Sequence, residues 1–303
     1  MKVRIGYGLG TAAGGGGRQR FVDLVDGLER HRFDSLWLSE RLTGVAPDPV
    51  VGLAVAAGRT ERLKLGTSVL VLPGRNPAVL AKELASLDVL SGGRLLPAFG
   101  LGVAEPHEQR AFGVRREERA AWFDEALPLI RRMWAEDAID HEGSRFEYTG
   151  LTVQPKPVQR PPDVWLGGRV PSELRRTGRL GDGWLPSFCT PDEAAAGRKI
   201  VEEAADRAGR WIDPEHFGAL VVYSRGPLPD RLARALAARR PDVDPGELVL
   251  SGLPALRSRL EAFIDRGFSK LVVVPAIEPD RWADELEEVA DHVLSLQDPA
   301  RVS

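Results

Sequence analysis

Short aliphatic runs alternate with helix-period stretches along almost the whole chain. Residues 3–8 read as a first strand. Residues 20–30 then set Phe21, Leu24, Val25 and Leu28 at spacings of three and four, one face of an amphipathic helix. Residues 34–38 read as a second strand and 50–58 as a helix of small residues. Residues 63–72 are nearly continuous in apolar character, the pattern of a strand buried on both faces. Asn76 and Pro77 make an N-cap and a first helical residue, and Leu80, Leu84 and Leu87 repeat helically up to the Ser91-Gly92-Gly93 turn. Residues 94–100 read as a fourth strand. A long helix through about Met133 is predicted to follow it, kinked at Pro128.

Residues 136–162 break the rhythm. Rich in Pro, Gly and charge, they predict an excursion or short hairpin over one end of the fold. Alternation then resumes, with strands at 164–167 and 183–185 flanking a helix that begins near Pro171. Thr190-Pro-Asp-Glu193 is a capping-box pattern opening a helix to about Gly209. Residues 217–224 and 270–275 are two further strands, with helices at 231–240 and 256–266 between them and Gly267 as a C-cap. A charged helix at about 281–296 follows. About eight strands alternating with helices imply right-handed βαβ units and a parallel sheet. The fold class is therefore α/β, a (β/α)8 TIM barrel with insertion segments, residues 1–303 forming a single domain. An open doubly wound sheet is the rival architecture. In a barrel the chemistry sits at the C-terminal ends of the strands, so those ends direct the search.

Composition narrows the classes. The 303 residues are 43% hydrophobic and 28% charged with a formal net charge of -3, a balance that argues against a nucleic-acid partner. One cysteine excludes a disulfide framework and a multi-Cys metal site. No apolar run approaches the roughly 18–20 residues of a membrane span, and the N-terminus does not read as a secretory signal; the expectation is a cytoplasmic protein without a membrane partner. His31, His107, His141, His216 and His292 are isolated, with no H-x-H or H-E-x-x-H, so no metal site is expected. Cys189 reads as a small buried hydrophobe. No G-x-S-x-G elbow is present, and neither Lys82 nor Lys270 falls at the end of a strand, as a Schiff-base lysine would.

At the strand ends, Gly6-x-Gly8-x-Gly10 does not fit G-x-G-x-x-G opening a helix directly, and the run 14–17 reads as a loop over the mouth. Gly100-Leu101-Gly102 either lets a flat ring or a backbone atom approach closely or makes a tight strand-to-helix turn. Gly167-Gly168-Arg169 precedes the helix at Pro171, where amide groups and the helix dipole either form an anion site that Arg169 reinforces or belong to a plain turn. Glu40 and Arg41 follow the second strand and Glu105 the fourth. Such a group either forms surface ion pairs or, in a barrel mouth, orients a substrate and tunes a proton donor. Trp184 packs the core or lines the pocket. With so little reactive side-chain machinery, a bound organic cofactor is the natural supplier of chemistry.

Several stretches then resemble a known family. FDSLWLSERL, LKLGTSVLVLPGRNPAVLAKELASLDVLSGGRLLPAFGLG, PKPVQRPPDVWLGG and LRRTGRLGDGWLP, in this order across most of the chain, are similar to the bacterial luciferase-like monooxygenase superfamily, and most to its deazaflavin branch, which uses coenzyme F420 in place of FMN. The resemblance implies a TIM barrel with insertions, hydride transfer between the deazaflavin C5 and a small organic substrate, and a homodimer, for which the helix at 77–90 could serve. It also implies a non-prolyl cis peptide at Ser68–Val69 against the cofactor ring, Gly100 and Gly102 beside it, phosphate binding at Gly167 and Gly168, and a further cofactor contact at Ser187. There are departures. Relatives acting on glucose 6-phosphate or alcohols carry Asp-His where this chain has Glu40 and Arg41, and their glutamate after strand four aligns with Val103, two residues before Glu105. Arginine cannot act as a general base at neutral pH; Arg41 could instead bind an anionic substrate or stabilise a developing enolate. The other readings are an FMN-dependent two-component monooxygenase and a non-catalytic flavin- or F420-binding protein.

Overall fold

The computed structural model of the chain describes residues 1–11, 13 and 16–298. Gly14 and Gly15 of the glycine run lie outside the described residues. The first half runs β1 (Arg4–Leu9), α1 (Gly17–His31), β2 (Ser35–Leu38), α2 (Pro49–Ala57), β3 (Lys64–Thr67), β4 (Leu70–Val71), α3 (Pro77–Leu90), β5 (Leu95–Leu96) and β6 (Ala98–Gly100). Next come α4 (Pro106–Ala111), a 3-10 turn, α5 (Arg119–Ala135) and an antiparallel pair, β7 (Ile139–Glu142) with β8 (Glu147–Leu151). The second half runs β9 (Trp165–Leu166), α6 (Pro171–Leu180), β10 (Gly183–Trp184), α7 (Pro191–Arg207), β11 (Gly218–Ser224) and α8 (Asp230–Arg239). It continues through α9 (Pro245–Leu248), β12 (Val249–Ser251), α10 (Leu253–Asp265), β13 (Lys270–Pro275) and α11 (Trp282–Val293).

Every ladder outside the β7–β8 pair is parallel. They form a seven-stranded sheet, β12-β11-β13-β1-β2-β3-β5, and a four-stranded one, β10-β9-β6-β4. The chain passes from one sheet to the other between β3 and β4, and again at Pro97 between β5 and β6. Isolated parallel bridges, Trp184 to Phe217 and Ser187 to Leu220, tie the far edge of the second sheet back to β11. The expected barrel is therefore not a single closed ladder. Pro97 has no N–H to give, which is one reason the fourth strand splits. The expected continuous strand at 63–72 is likewise two pieces, with the cis Ser68–Val69 peptide between them. The long helix expected after the fourth strand is also broken, because Gly113 turns left-handed (φ 69°) between α4 and α5. β12, three residues long, escaped the sequence reading.

Alternation along β2 shows how the layers are built. Leu36 and Leu38 pack outward with Leu24 and Leu28 of α1, whereas Trp37 packs inward with Trp165, Val272 and Val274. Gly8 of β1 and Gly66 of β3 are its register partners; Gly66, with Gly6, leaves room for the indole, whereas Gly8 makes room for Val272 and Val274. Trp37 and Trp165 meet edge to face at 6.4 Å, filling the interior between the strands. At the N-terminal ends of the strands Lys270 is bound to Asp34 at 2.8 Å, with Arg4 at 3.6 Å and Lys64 at 3.9 Å from the same carboxylate. Lys270 thus lies at the end of the sheet away from the mouth. Among the described residues, no helix is long and apolar enough to cross a membrane.

Candidate active site

The C-terminal ends of β6 and β9 flank one side chain, that of Val69, which lies between the end of β3 and the start of β4. A Cβ added at Gly100 would stand 2.5 Å from Val69 Cγ2, and one at Gly167 would stand 2.8 Å from Val69 Cγ1. These two glycines therefore flank the valine, and what they make room for first is this chain's own wall. Gly102 has a different reason: its φ is 76°, and a Cβ there would strike the Arg119 guanidinium. The end of β2 holds the wall from the other side. Ser68 N–H donates to the Leu38 carbonyl at 2.8 Å, the Ser39 hydroxyl donates to the Ser68 carbonyl at 2.8 Å, and Glu40 N–H donates to the Val69 carbonyl at 3.3 Å.

Glu40 completes this strap. Its side chain, 3% exposed, accepts a bond from Val71 N–H at 2.6 Å and is paired with Arg75. Burial pushes its carboxyl above the usual range, and the Arg75 charge recovers only part of that cost. Arg41 points elsewhere. Its guanidinium is paired with Glu105 and lies 3.5 Å from Glu108. Glu108, 3% exposed, accepts bonds from Thr43 N–H at 2.9 Å, the Thr43 hydroxyl at 2.5 Å and Leu42 N–H at 3.2 Å. Burial alone would raise its carboxyl, but those donors and the Arg41 charge outweigh it and hold the group below the usual range. The structure thus joins Arg41 to Glu105 and sends Glu40 to Arg75. Arg75 and Glu108 were not singled out in the sequence. Arg75 stands directly before the Asn76-Pro77 cap, a position that signals a helix start and nothing about a carboxylate 35 residues away.

Gly167, Gly168 and Arg169 do precede a helix N-terminus, and its amides do bind an anion, but the anion is internal. Glu173 reaches back to accept bonds from Arg169 N–H at 3.0 Å and Val170 N–H at 3.3 Å. Gly168 (φ 108°) is bare where a Cβ would meet that carboxylate at 2.6 Å. Trp184 is core, and its indole N–H donates to the Gly168 carbonyl at 2.9 Å. Ser187 bridges to Leu220 on the neighbouring strand and stays half-buried. Beside it, Phe188 takes a left-handed φ of 53°. Arg240, 1% exposed, fixes that loop by donating to the Phe188 carbonyl at 2.6 Å and pairing with Glu193 and Asp242. Cys189 is packed in the same loop, and burial pushes its thiol up to about 12. These residues put a backbone-rich wall, arginines and already engaged carboxylates at the C-terminal ends of the parallel strands.

A family model described as luciferase-like monooxygenase matches residues 3–255. An F420-dependent glucose-6-phosphate dehydrogenase of Segniliparus rotundus is 32% identical over 227 residues, covering 69% of this chain. The alignment spans 66% of that relative, just under two thirds of its length. A protein of the same name from Intrasporangium calvum is 28% identical over 320 residues, 89% of this chain and 92% of the relative. Among solved structures, the coenzyme F420-dependent tetrahydromethanopterin reductase of Methanopyrus kandleri superposes with a TM-score of 0.78 at 19% identity, covering 98% of this chain and 100% of that one. At that identity the likeness speaks for the fold.

Proposed function

The chain belongs to the luciferase-like monooxygenase family, and on that footing we propose that it is an F420-dependent oxidoreductase moving hydride between the deazaflavin C5 and a small organic substrate. The observation that carries the reading is the Val69 wall, set between Gly100 and Gly167 and strapped by Ser39 and Glu40. A half-buried surface with so few side chains suits a planar ring. Ser68, Val69, Gly100 and Gly102 would back that ring. Gly167, Gly168, Arg169 and Ser187 would hold the phosphate-bearing tail, with the Glu173 carboxylate yielding its amides. The fit is chemical as well as steric, because an anionic tail meets a mouth lined by arginines. When bound, F420 supplies the hydride chemistry at its C5.

The chain's own residues handle the substrate side. Arg41 is a fixed cation braced by Glu105 and Glu108, suited to orient a substrate or to steady negative charge on it, and unsuited to abstract a proton. Glu40, tied to Arg75 and Val71, is a positioning residue for the wall. We read the two sheets and the bridges at Ser187 and Trp184 as one eight-membered barrel wall, β12 lying outside it, within a single domain. We read the exposed apolar side chains of α2 and α3 as the seat of a homodimer. The test of the cofactor is a fluorescence titration of the purified chain with F420 and with FMN. Tighter binding of F420 is the expected result, and the reverse order would overturn the proposal.

A further inference from the structure

Between α6 and α7 lies a cleft of about 420 Å³, lined by Ser172, Arg175, Arg176 and Arg179 of α6 and by Ala204 and Arg207 of α7. Each helix of a βα unit runs back from the C-terminal end of its strand, so the last turns of α6 and α7 lie toward the end of the sheet away from the mouth. The two helices are closely joined. A Cβ at Gly178 would stand 2.4 Å from the Val201 carbonyl oxygen and 2.7 Å from Ala204 Cβ, and this contact fixes the spacing of the two sides.

No carboxylate lines the cleft. Asp124 of α5 serves two of its arginines at once, accepting from Arg176 Nε at 2.6 Å and from Arg179 Nη2 at 3.0 Å. Arg176 is also fixed over the Phe123 ring, 5.7 Å from the centroid, and is 8% exposed. Arg207 meets Glu203 of its own helix at 3.8 Å, with both side chains largely in water, a pair worth little. Arg175 is exposed and, among the described residues, has neither an ion pair nor a hydrogen bond from its side chain. Four guanidinia are thus answered by two carboxylates, in a chain of net charge -3. Arg175 and Arg179, four residues apart on one helix face, repel each other, and only an anion from outside relieves that.

We propose that this cleft is a second binding site, separate from the oxidoreductase centre, for a polyphosphate group carried by a nucleoside triphosphate or by an inorganic chain. Its volume falls in the range of small-molecule sites, roughly 300–1,000 Å³, and exceeds what a single ion fills. Arg175 and Arg179 are offset along α6 by about one helical turn, so their forks reach successive oxyanions of a chain. Arg207 approaches the same chain from the other wall, and the Asp124-bound Arg176 supplies a cation already in place.

The test titrates inorganic tripolyphosphate, ATP and citrate into the full chain by calorimetry, without divalent metal and at constant ionic strength. One equivalent of tripolyphosphate or ATP should bind the wild type, and Arg175→Gln and Arg207→Gln should each weaken it about tenfold or more by removing charge-assisted hydrogen bonds. Arg175→Lys should fall between, keeping the charge and losing the fork. Arg30→Gln, an exposed arginine of α1, and Arg169→Gln, at the mouth, should leave the affinity unchanged. Tighter binding of ATP assigns the nucleoside carrier, and equal or tighter binding of tripolyphosphate assigns the inorganic chain. Absence of saturable binding, or wild-type affinity in Arg175→Gln, overturns the proposal. A larger loss in Arg169→Gln than in Arg175→Gln places the anion at the mouth and overturns it too, and citrate binding more tightly than tripolyphosphate overturns the ligand class.

Discussion

A glycine with no left-handed backbone is there for space, and the structure says whose. Neither Gly100 nor Gly167 has a positive φ, so alanine suits the backbone at both. Such a change ordinarily stabilises by about 0.4–1 kcal/mol through the unfolded chain. Here the new Cβ would press on Val69 at 2.5 Å and 2.8 Å, and overpacking of this kind costs about 1–3 kcal/mol, so the steric effect wins. Gly100→Ala and Gly167→Ala should each destabilise by about 1–2 kcal/mol in urea unfolding and weaken F420 binding. Adding Val69→Ala should recover most of the stability, since the two sites touch; failure to recover would mean that something other than Val69 resists the Cβ. Cys189 makes a second prediction at this scale. With its thiol pushed up to about 12 by burial, it should resist iodoacetamide at pH about 8 in the native chain and react once the chain is unfolded in urea.

Elements are held in place by single side chains whose partners lie far off in sequence. On α5, Glu125 accepts bonds from the Ser144 hydroxyl at 2.7 Å, from Phe146 N–H at 3.1 Å and from Arg145 N–H at 3.2 Å, and it meets His141 Nε2 at 3.2 Å. It pins the β7–β8 hairpin to the helix. Burial would raise its carboxyl, but these donors overcome that and lower it from 4.5 to about 2. A depressed carboxylate stabilises the folded chain fully above its ordinary value and loses that contribution as the pH falls toward the folded one. Unfolding free energy should therefore drop by about 3 kcal/mol between pH about 5 and pH about 2 on this account, and Glu125→Gln should remove that part of the dependence. Equal acid slopes in the two proteins would refute the assignment. What the sequence revealed at this scale follows the range of the interaction. The Asn76-Pro77 cap and the Thr190–Glu193 box lie within one helical turn, and both appear as read. Glu125 and its partners, 16 to 21 residues apart, follow no periodic pattern.

At the scale of the molecule, strand–helix alternation was legible because each unit must bury one face against the next, and that requirement leaves a period in the sequence. The breaks in the strands at Pro97 and Ser68 were less so, since an apolar run looks the same whether or not its ladder is interrupted. The mouth was located by its glycines, but the carboxylates that neutralise or fail to neutralise its arginines come from different loops, and no spacing records such pairings. The outer surface shows the converse, an apolar pattern with more apolar residues than the fold itself uses. α2, PVVGLAVAA, carries no charged residue, and a helix apolar all round is normally covered on every side. Leu53 and Ala56 face the core, yet Val51 is 63% exposed and Val55 44%. On the adjoining α3, Val79 is 56% exposed and Leu90 79%. Leaving this face in water forgoes about 25 cal/mol for each Å² of apolar surface, and a second copy of the same face would cover it symmetrically. Sedimentation should give the wild type twice the 33.1 kDa chain mass, and Val51→Glu with Val55→Glu should give one chain mass with the circular-dichroism spectrum unchanged. These two positions point away from the core, so the charges should break the pairing without unfolding the subunit. A wild type that sediments as a single chain would remove α2 and α3 as an interface.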